Sequence, residues 1–208
     1  MKLRVSAQRS VLLIVSMLLL SSCLLPGMIP LNPEPTEAVE SEGPAEPAVP
    51  ESSRPAMETD SEALLETLRG GEWVYLQALA EEQYTEEDYA RPGTLAYTVT
   101  IPETEERPTY FNYGWCTTTE EILNQNFQHI RIGMYFNGEA LGRDVVHPVS
   151  FTRPDGFVCL DFGVMMSDWA PGEYQLAAVV TFEEEINDGA ADFEAGNYIY
   201  EYNVTVEE

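Results

Sequence analysis

Beyond Glu72 apolar side chains recur at every second position, the period at which a strand turns alternate residues to one face. Leu95, Tyr97, Val99 and Ile101 alternate with Ala96, Thr98 and Thr100. Ile130, Ile132, Met134 and Phe136 repeat the pattern, which ends at Asn137-Gly138, the dipeptide favoured in type I′ hairpin turns. Tyr174, Leu176, Ala178, Val180 and Phe182 form a third run, entered through Trp169-Ala170-Pro171-Gly172. In the fourth, Tyr198, Tyr200, Tyr202, Val204 and Val206 share a face, and Glu201, Asn203 and Thr205 take the other. Shorter runs over 109–115, 145–151 and 157–162 bring the count to about seven strands within roughly 115 residues. Separated by turn residues, they predict an all-β fold, an antiparallel β-sandwich.

One short helix leads into this pattern and another interrupts it. Thr59-Asp60-Ser61-Glu62 has the spacing of a capping box ahead of Ala63-Leu64-Leu65-Glu66-Thr67-Leu68, and Gly70-Gly71 stops the run. Thr118-Thr119-Glu120-Glu121 repeats the capping signal, with Ile122, Leu123 and Phe127 as the apolar side of a helix inserted between strands. The stretch 73–89 reads both ways: Trp73-Val74-Tyr75-Leu76 suits a strand, and 78–84 a helix.

The N-terminal part follows different rules. Lys2, Arg4 and Arg9 precede the apolar run 11–20 (VLLIVSMLLL) and then Ser21-Ser22-Cys23. A run this short does not span a hydrocarbon core, which needs about 20 residues, so it reads as a signal-peptide core. The ending Leu20-Ser21-Ser22-Cys23 resembles the lipobox of bacterial lipoproteins. The resemblance implies cleavage after residue 22 and lipidation of Cys23, which would anchor the chain without spanning the membrane. Residues 24–57 hold eight prolines and six glutamates with scattered apolar side chains, the composition of an extended, self-repelling tether. The expected organisation is a signal peptide over 1–22, a lipidated tether over 23–57, a helix over 58–71 and a sandwich domain over 72–208.

Within that domain Tyr113-Gly114-Trp115-Cys116, Thr118-Thr119-Glu120-Glu121-Ile122-Leu123, Gln128-His129-Ile130, Pro171-Gly172-Glu173-Tyr174 and Ile186-Asn187-Asp188-Gly189 resemble the Ig-like ectodomains of bacterial lipoproteins. The resemblance implies an Ig-like sandwich and brings no activity with it. The chain departs from antibody domains, where a tryptophan lies between two cysteines on partner strands, because here Trp115 directly precedes Cys116.

Charge narrows the choice of partner. The chain has 36 acidic and 10 basic side chains, a formal net charge of -26. Three of the basic residues fall in the first nine positions, so beyond residue 22 only 7 arginines face all 36 acids, a net of -29. Nucleic acid is excluded as a partner for so acidic a surface; cationic groups or divalent ions are favoured.

Candidate chemistry is sparse. With Cys23 assigned to lipid, Cys116 and Cys159 remain as a pair in a chain addressed outside the cytoplasm, which predicts a disulfide. His129 and His147 are the only histidines, and no HExxH, GxSxG or CxxC motif occurs. His129, two residues from Phe127 and beside Ile130, is expected to pack at a helix-to-strand junction. Asn187, Asp188 and Asp192, preceded by Glu183-Glu184-Glu185, gather oxygen ligands around a glycine turn and are the candidate calcium site. Tyr110, Tyr113 and Trp115 crowd one strand; exposed, they would form a platform for a carbohydrate or a peptide, and otherwise they fill the core. No spacing specifies a nucleophile, base or metal. The expectation is a noncatalytic recognition or interaction module of the cell envelope, with an extracytoplasmic hydrolase or a purely structural envelope protein as the alternatives.

Overall fold

The computed structural model describes residues 54–208. Cys23 and nearly all of the expected tether therefore lie outside the described residues. The chain enters at β1 (Ala56–Met57) and runs through α1 (Ser61–Gly70), β2 (Val74–Tyr75), a 3-10 turn (Leu76–Leu79) and α2 (Glu86–Tyr89). Then come β3 (Gly93–Ile101), β4 (Thr109–Thr117), α3 (Glu120–Asn126), β5 (Ile130–Phe136), β6 (Glu139–Ala140) and β7 (His147–Thr152). The remaining strands are β8 (Val158–Ser167), β9 (Gly172–Phe182), β10 (Ile186–Asn187), β11 (Asp192–Phe193) and β12 (Gly196–Val206).

These strands form a β-sandwich, the all-β class expected from the period-two pattern. One sheet has the order β1-β8-β4-β2, with β7 also along β8; the other has the order β3-β12-β9-β5-β6. A small ribbon, β10-β11, stands apart. The expectation of a purely antiparallel sandwich needs correction at two places, because β3 pairs parallel with β12 and β2 parallel with β4. Neither pair is adjacent in the chain, and both are joined through intervening strands, as parallel neighbours require.

The core lies where the predicted faces meet. Tyr97, Val99 and Ile101 of β3, Phe111 of β4, Met134 and Phe136 of β5, Leu176 and Val180 of β9 and Tyr202 and Val204 of β12 are almost fully buried. Stacking joins β3 to β12 in the second sheet, with the Tyr97 and Tyr202 rings 4.7 Å apart and nearly parallel. Asn137 and Gly138 both take positive φ, 48° and 78°, as a type I′ turn between β5 and β6 demands.

Helix α1 is not a lead-in to the domain but part of it. It covers the outer face of the first sheet, where Leu64, fully buried, packs with Tyr110 of β4 and Met165 of β8. Its N-cap is Asp60, which accepts from the Glu62 N–H; the cap lies one residue after the predicted Thr59, and the predicted capping box does not form. Gly71 closes the helix in the left-handed conformation, φ 74°, as the sequence indicates. The folded unit also starts earlier than expected, since Ala56 and Met57 pair with Ser167 and Met166 of β8.

The stretch left open, 73–89, carries out an edge function. After β2 it crosses to the second sheet and runs along the free edge of β3. There Ala80 bridges Val99, and the Glu81 N–H donates to the Thr98 carbonyl. The Glu82 carboxylate accepts from the Thr98 N–H at 2.6 Å and hydroxyl at 2.8 Å. A true capping box, Thr85 with Asp88, starts α2 behind this strap.

Candidate functional site

The disulfide is present. Cys116 of β4 and Cys159 of β8 are direct cross-strand partners with their Cα atoms 4.0 Å apart, and a bond joins them. Such a bridge persists in oxidising compartments outside the cytoplasm. It also removes Cys116 from any role as a thiolate. Among the described residues no helix is long and apolar enough to cross a membrane.

The aromatic platform is not formed. Tyr113 and Trp115 point between the sheets at 9% and 7% exposure, packed on Tyr200 and on Phe182 and Phe193 respectively. Tyr110 points to the opposite face at 1% exposure, beneath α1. Alternation along one strand sends neighbouring rings to different layers, so these three do not share a surface. The indole Nε1 of Trp115 is buried without a hydrogen-bond partner.

The expected calcium residues converge on the loop itself. Asn187 Nδ2 donates to Asp192 Oδ1 at 2.5 Å, and Asn187 Oδ1 accepts from the Gly189 N–H. Asp188 Oδ1 takes the N–H groups of Ala190 and Ala191, both at 2.7 Å. These are Asx-type turn bonds that hold the β10-β11 connection closed. Among the described residues no group of three or more His, Cys, Asp or Glu side chains is arranged to hold a metal.

A cavity lies beside this loop. It has a volume of about 400 Å³ and is walled by α3 on one side and by the segment from Glu184 to Asn187 on the other. Gln125, Gln128, His129, Glu184 and Glu185 supply its polar lining. The backbone of His129 is fixed at both ends, its N–H bonded to the Asn126 carbonyl and its carbonyl to the Glu183 N–H. Its imidazole, 39% exposed, is more open than the packed junction expected and stands 3.5 Å from Glu184 Oε1. The amide of Asn126 ties α3 to the Asn187 carbonyl and braces the floor. His147 forms no triad with the nearby Asp144 and Ser150: it is buried with Nε2 at the Glu58 carbonyl, and Ser150 is exposed on the other side of β7.

A second arrangement escapes the sequence. Asp161 of β8 is 4% exposed on the outer face of the first sheet, and among the described residues no cation pairs with its carboxylate. Asn112 Nδ2 donates to both of its oxygens, at 2.9 and 3.1 Å, and the Tyr110 hydroxyl donates at 3.2 Å. Burial pushes its carboxyl up, against the lowering effect of these hydrogen bonds. Two glycines make the arrangement possible. A Cβ on Gly114, directly across from Asp161, would stand 2.7 Å from Oδ1, and one on Gly163 would enter the Tyr110 ring. Glycine inside a strand is the sequence signal for such close approach.

No protein-family model matches the chain, and no curated protein matches it. Among solved structures, a cysteine protease inhibitor from Entamoeba histolytica aligns at 8% identity and a TM-score of 0.24, over 65% of this chain and 97% of that one. The CFA/I adhesin of enterotoxigenic E. coli aligns at 11% identity and a TM-score of 0.16, over 38% of this chain and 28% of the adhesin.

Proposed function

We propose that this chain is a lipid-anchored, noncatalytic recognition module of the cell envelope, held away from the membrane by its acidic tether. The observation that carries this reading is the cavity between α3 and the Glu184 segment, of a size typical for ligand sites and lined by carboxylates and amides. Two adjacent carboxylates with glutamine side chains opposite suit a cationic group, a guanidinium or ammonium, as the net charge of -26 also does. NMR titration of the full chain with a short arginine-containing peptide should shift the His129 ring signals. Glu184→Gln with Glu185→Gln should abolish that shift, and unmoved His129 signals at saturating peptide would overturn the reading.

The anchor has its own test. Metabolic fatty-acid labelling should fail in Cys23→Ser, and the unprocessed precursor should accumulate; labelling that persists refutes lipidation at this residue. A second reading, an extracytoplasmic hydrolase, is favoured by the 3.5 Å approach of His129 to Glu184 in an open cavity. It requires hydrolytic turnover that His129→Ala removes while ligand binding remains.

A further inference from the structure

The free edge of β4 is built to accept a strand. In an antiparallel pair, opposed residues alternate between hydrogen-bonded pairs, with Cα atoms about 5.5 Å apart, and unbonded pairs at about 4.5 Å. Cys116 and Cys159 stand 4.0 Å apart, so Cys116 belongs to an unbonded pair and its N–H and C=O point away from β8. Alternation extends this to Gly114 and Asn112. Both ends of β4 agree: the Pro108 carbonyl accepts from Val74 of β2, and the Thr118 N–H donates to the Asp188 carbonyl. Between those two fixed points β2 has turned away, and the edge groups of Asn112, Gly114 and Cys116 meet no partner among the described residues.

Three other edges are obstructed. The strap from Ala80 to Tyr84 occupies β3, Pro148 interrupts β7, and Arg131 folds its guanidinium over the Gln128 and Ile130 carbonyls beside β5. Charges, prolines and covering segments are the usual means of blocking strand addition. The sequence of β4, TYFNYGWCT, has none of them. Gly114 is exposed and carries no side chain to obstruct a visitor.

From these features the geometry points to strand addition at β4 by an extended, basic peptide segment of a partner protein. The backbone of the segment bonds to Asn112, Gly114 and Cys116. The side chain it places beside Gly114 is arginine or lysine, lying across the glycine toward Asp161. That carboxylate leans over Gly114 and is buried with no cation beside it among the described residues, so a guanidinium arriving there completes an ion pair. This inference rests on the reading of the domain as a recognition module but uses a different surface from the His129 cavity.

The test is selection of random peptides of about ten residues, enough for one strand, on the full chain in mild detergent, followed by fluorescence anisotropy with the selected peptides. The expected binders alternate in polarity and share one fixed arginine or lysine. Gly114→Pro, which removes an edge N–H but no bond to β8, should weaken them about tenfold or more. Asp161→Asn should retain binding and erase the preference for a basic residue. Should Gly114→Pro fail to fold, N-methylation of the peptide decides: methyl groups on one set of alternate amides should abolish binding to the unmodified chain, and on the other set leave it intact. Binders indifferent to both sets, or the absence of binders, overturn the proposal. Binding lost in the Glu184→Gln, Glu185→Gln double variant but kept in Gly114→Pro supports the cavity reading and overturns this one. Self-association that Gly114→Pro dissolves assigns the edge to a second copy and also overturns it.

Discussion

The Tyr84 hydroxyl bonds twice to Ala96, donating to its carbonyl at 2.6 Å and accepting from its N–H at 3.1 Å. One phenol thereby takes the place of a neighbouring strand at the middle of the β3 edge. Tyr84→Phe leaves both backbone groups to water, at a cost of about 1 kcal/mol per lost bond. It should also open an edge to pairing between molecules. Sedimentation velocity should show the variant associating with rising concentration under conditions where the parent stays monodisperse.

Glu82 secures the same strap by a charge. The Thr98 N–H and then its hydroxyl, both donating to the carboxylate, hold Glu82 below the usual carboxylate range. A carboxyl with a depressed folded pKa stabilises the fold above its unfolded pKa, and the contribution is lost as pH falls through the folded value. Urea midpoints across the acid range should therefore show the deficit of Glu82→Gln shrinking as pH falls, until the variant and parent curves converge.

Asp161 has the opposite sign. Burial raises its carboxyl, so its contribution is fullest below the unfolded pKa of about 3.9 and declines as pH rises through the folded value. Asp161→Asn keeps the shape and an acceptor for Tyr110 while removing the uncompensated charge. Relative to the parent, the variant should gain stability steadily from acid to neutral pH; parallel curves would show that the carboxylate carries no net penalty.

Removing the Cys116–Cys159 bridge by a double Ser substitution frees an interval of 43 residues in the unfolded chain. Chain entropy gives a loss of about 4 kcal/mol for a loop of that length. Intact mass before and after alkylation should show no free thiol in the parent from Cys116 or Cys159, and the melting temperature of the variant should fall accordingly.

What could be seen in the sequence was what depends on local period. The runs 95–101, 130–136, 174–182 and 198–206 alternate because one face of each strand meets the core, and the structure forms a strand at every one. The Cys116–Cys159 pair followed from compartment and count. Tyr110, Tyr113 and Trp115 were harder, since a strand buried on both faces looks the same as a strand with an exposed aromatic surface. Asp161 was invisible because its burial comes from Asn112 and Tyr110, 49 and 51 residues away, and from a helix packed over that face. Gly114 and Gly163, within apolar strands, were the available hint. The cavity beside His129 likewise depends on how α3 lies against the Glu184 segment, which no local pattern encodes.

The bridge between β4 and β8 also shapes how the protein responds to being pulled. The covalent link lies between strands that hold α3, β5, β6 and β7 in the interval they enclose. A load applied through the two chain ends passes across the sulfur bond and never reaches that interval. About 150 Å of contour length, from 43 residues at roughly 3.6 Å each, is thus withheld from extension. A chain drawn out from its two ends would unravel the strands outside the bridge and stop short by that length, the enclosed interval losing its partners β8 and β9 without itself being extended.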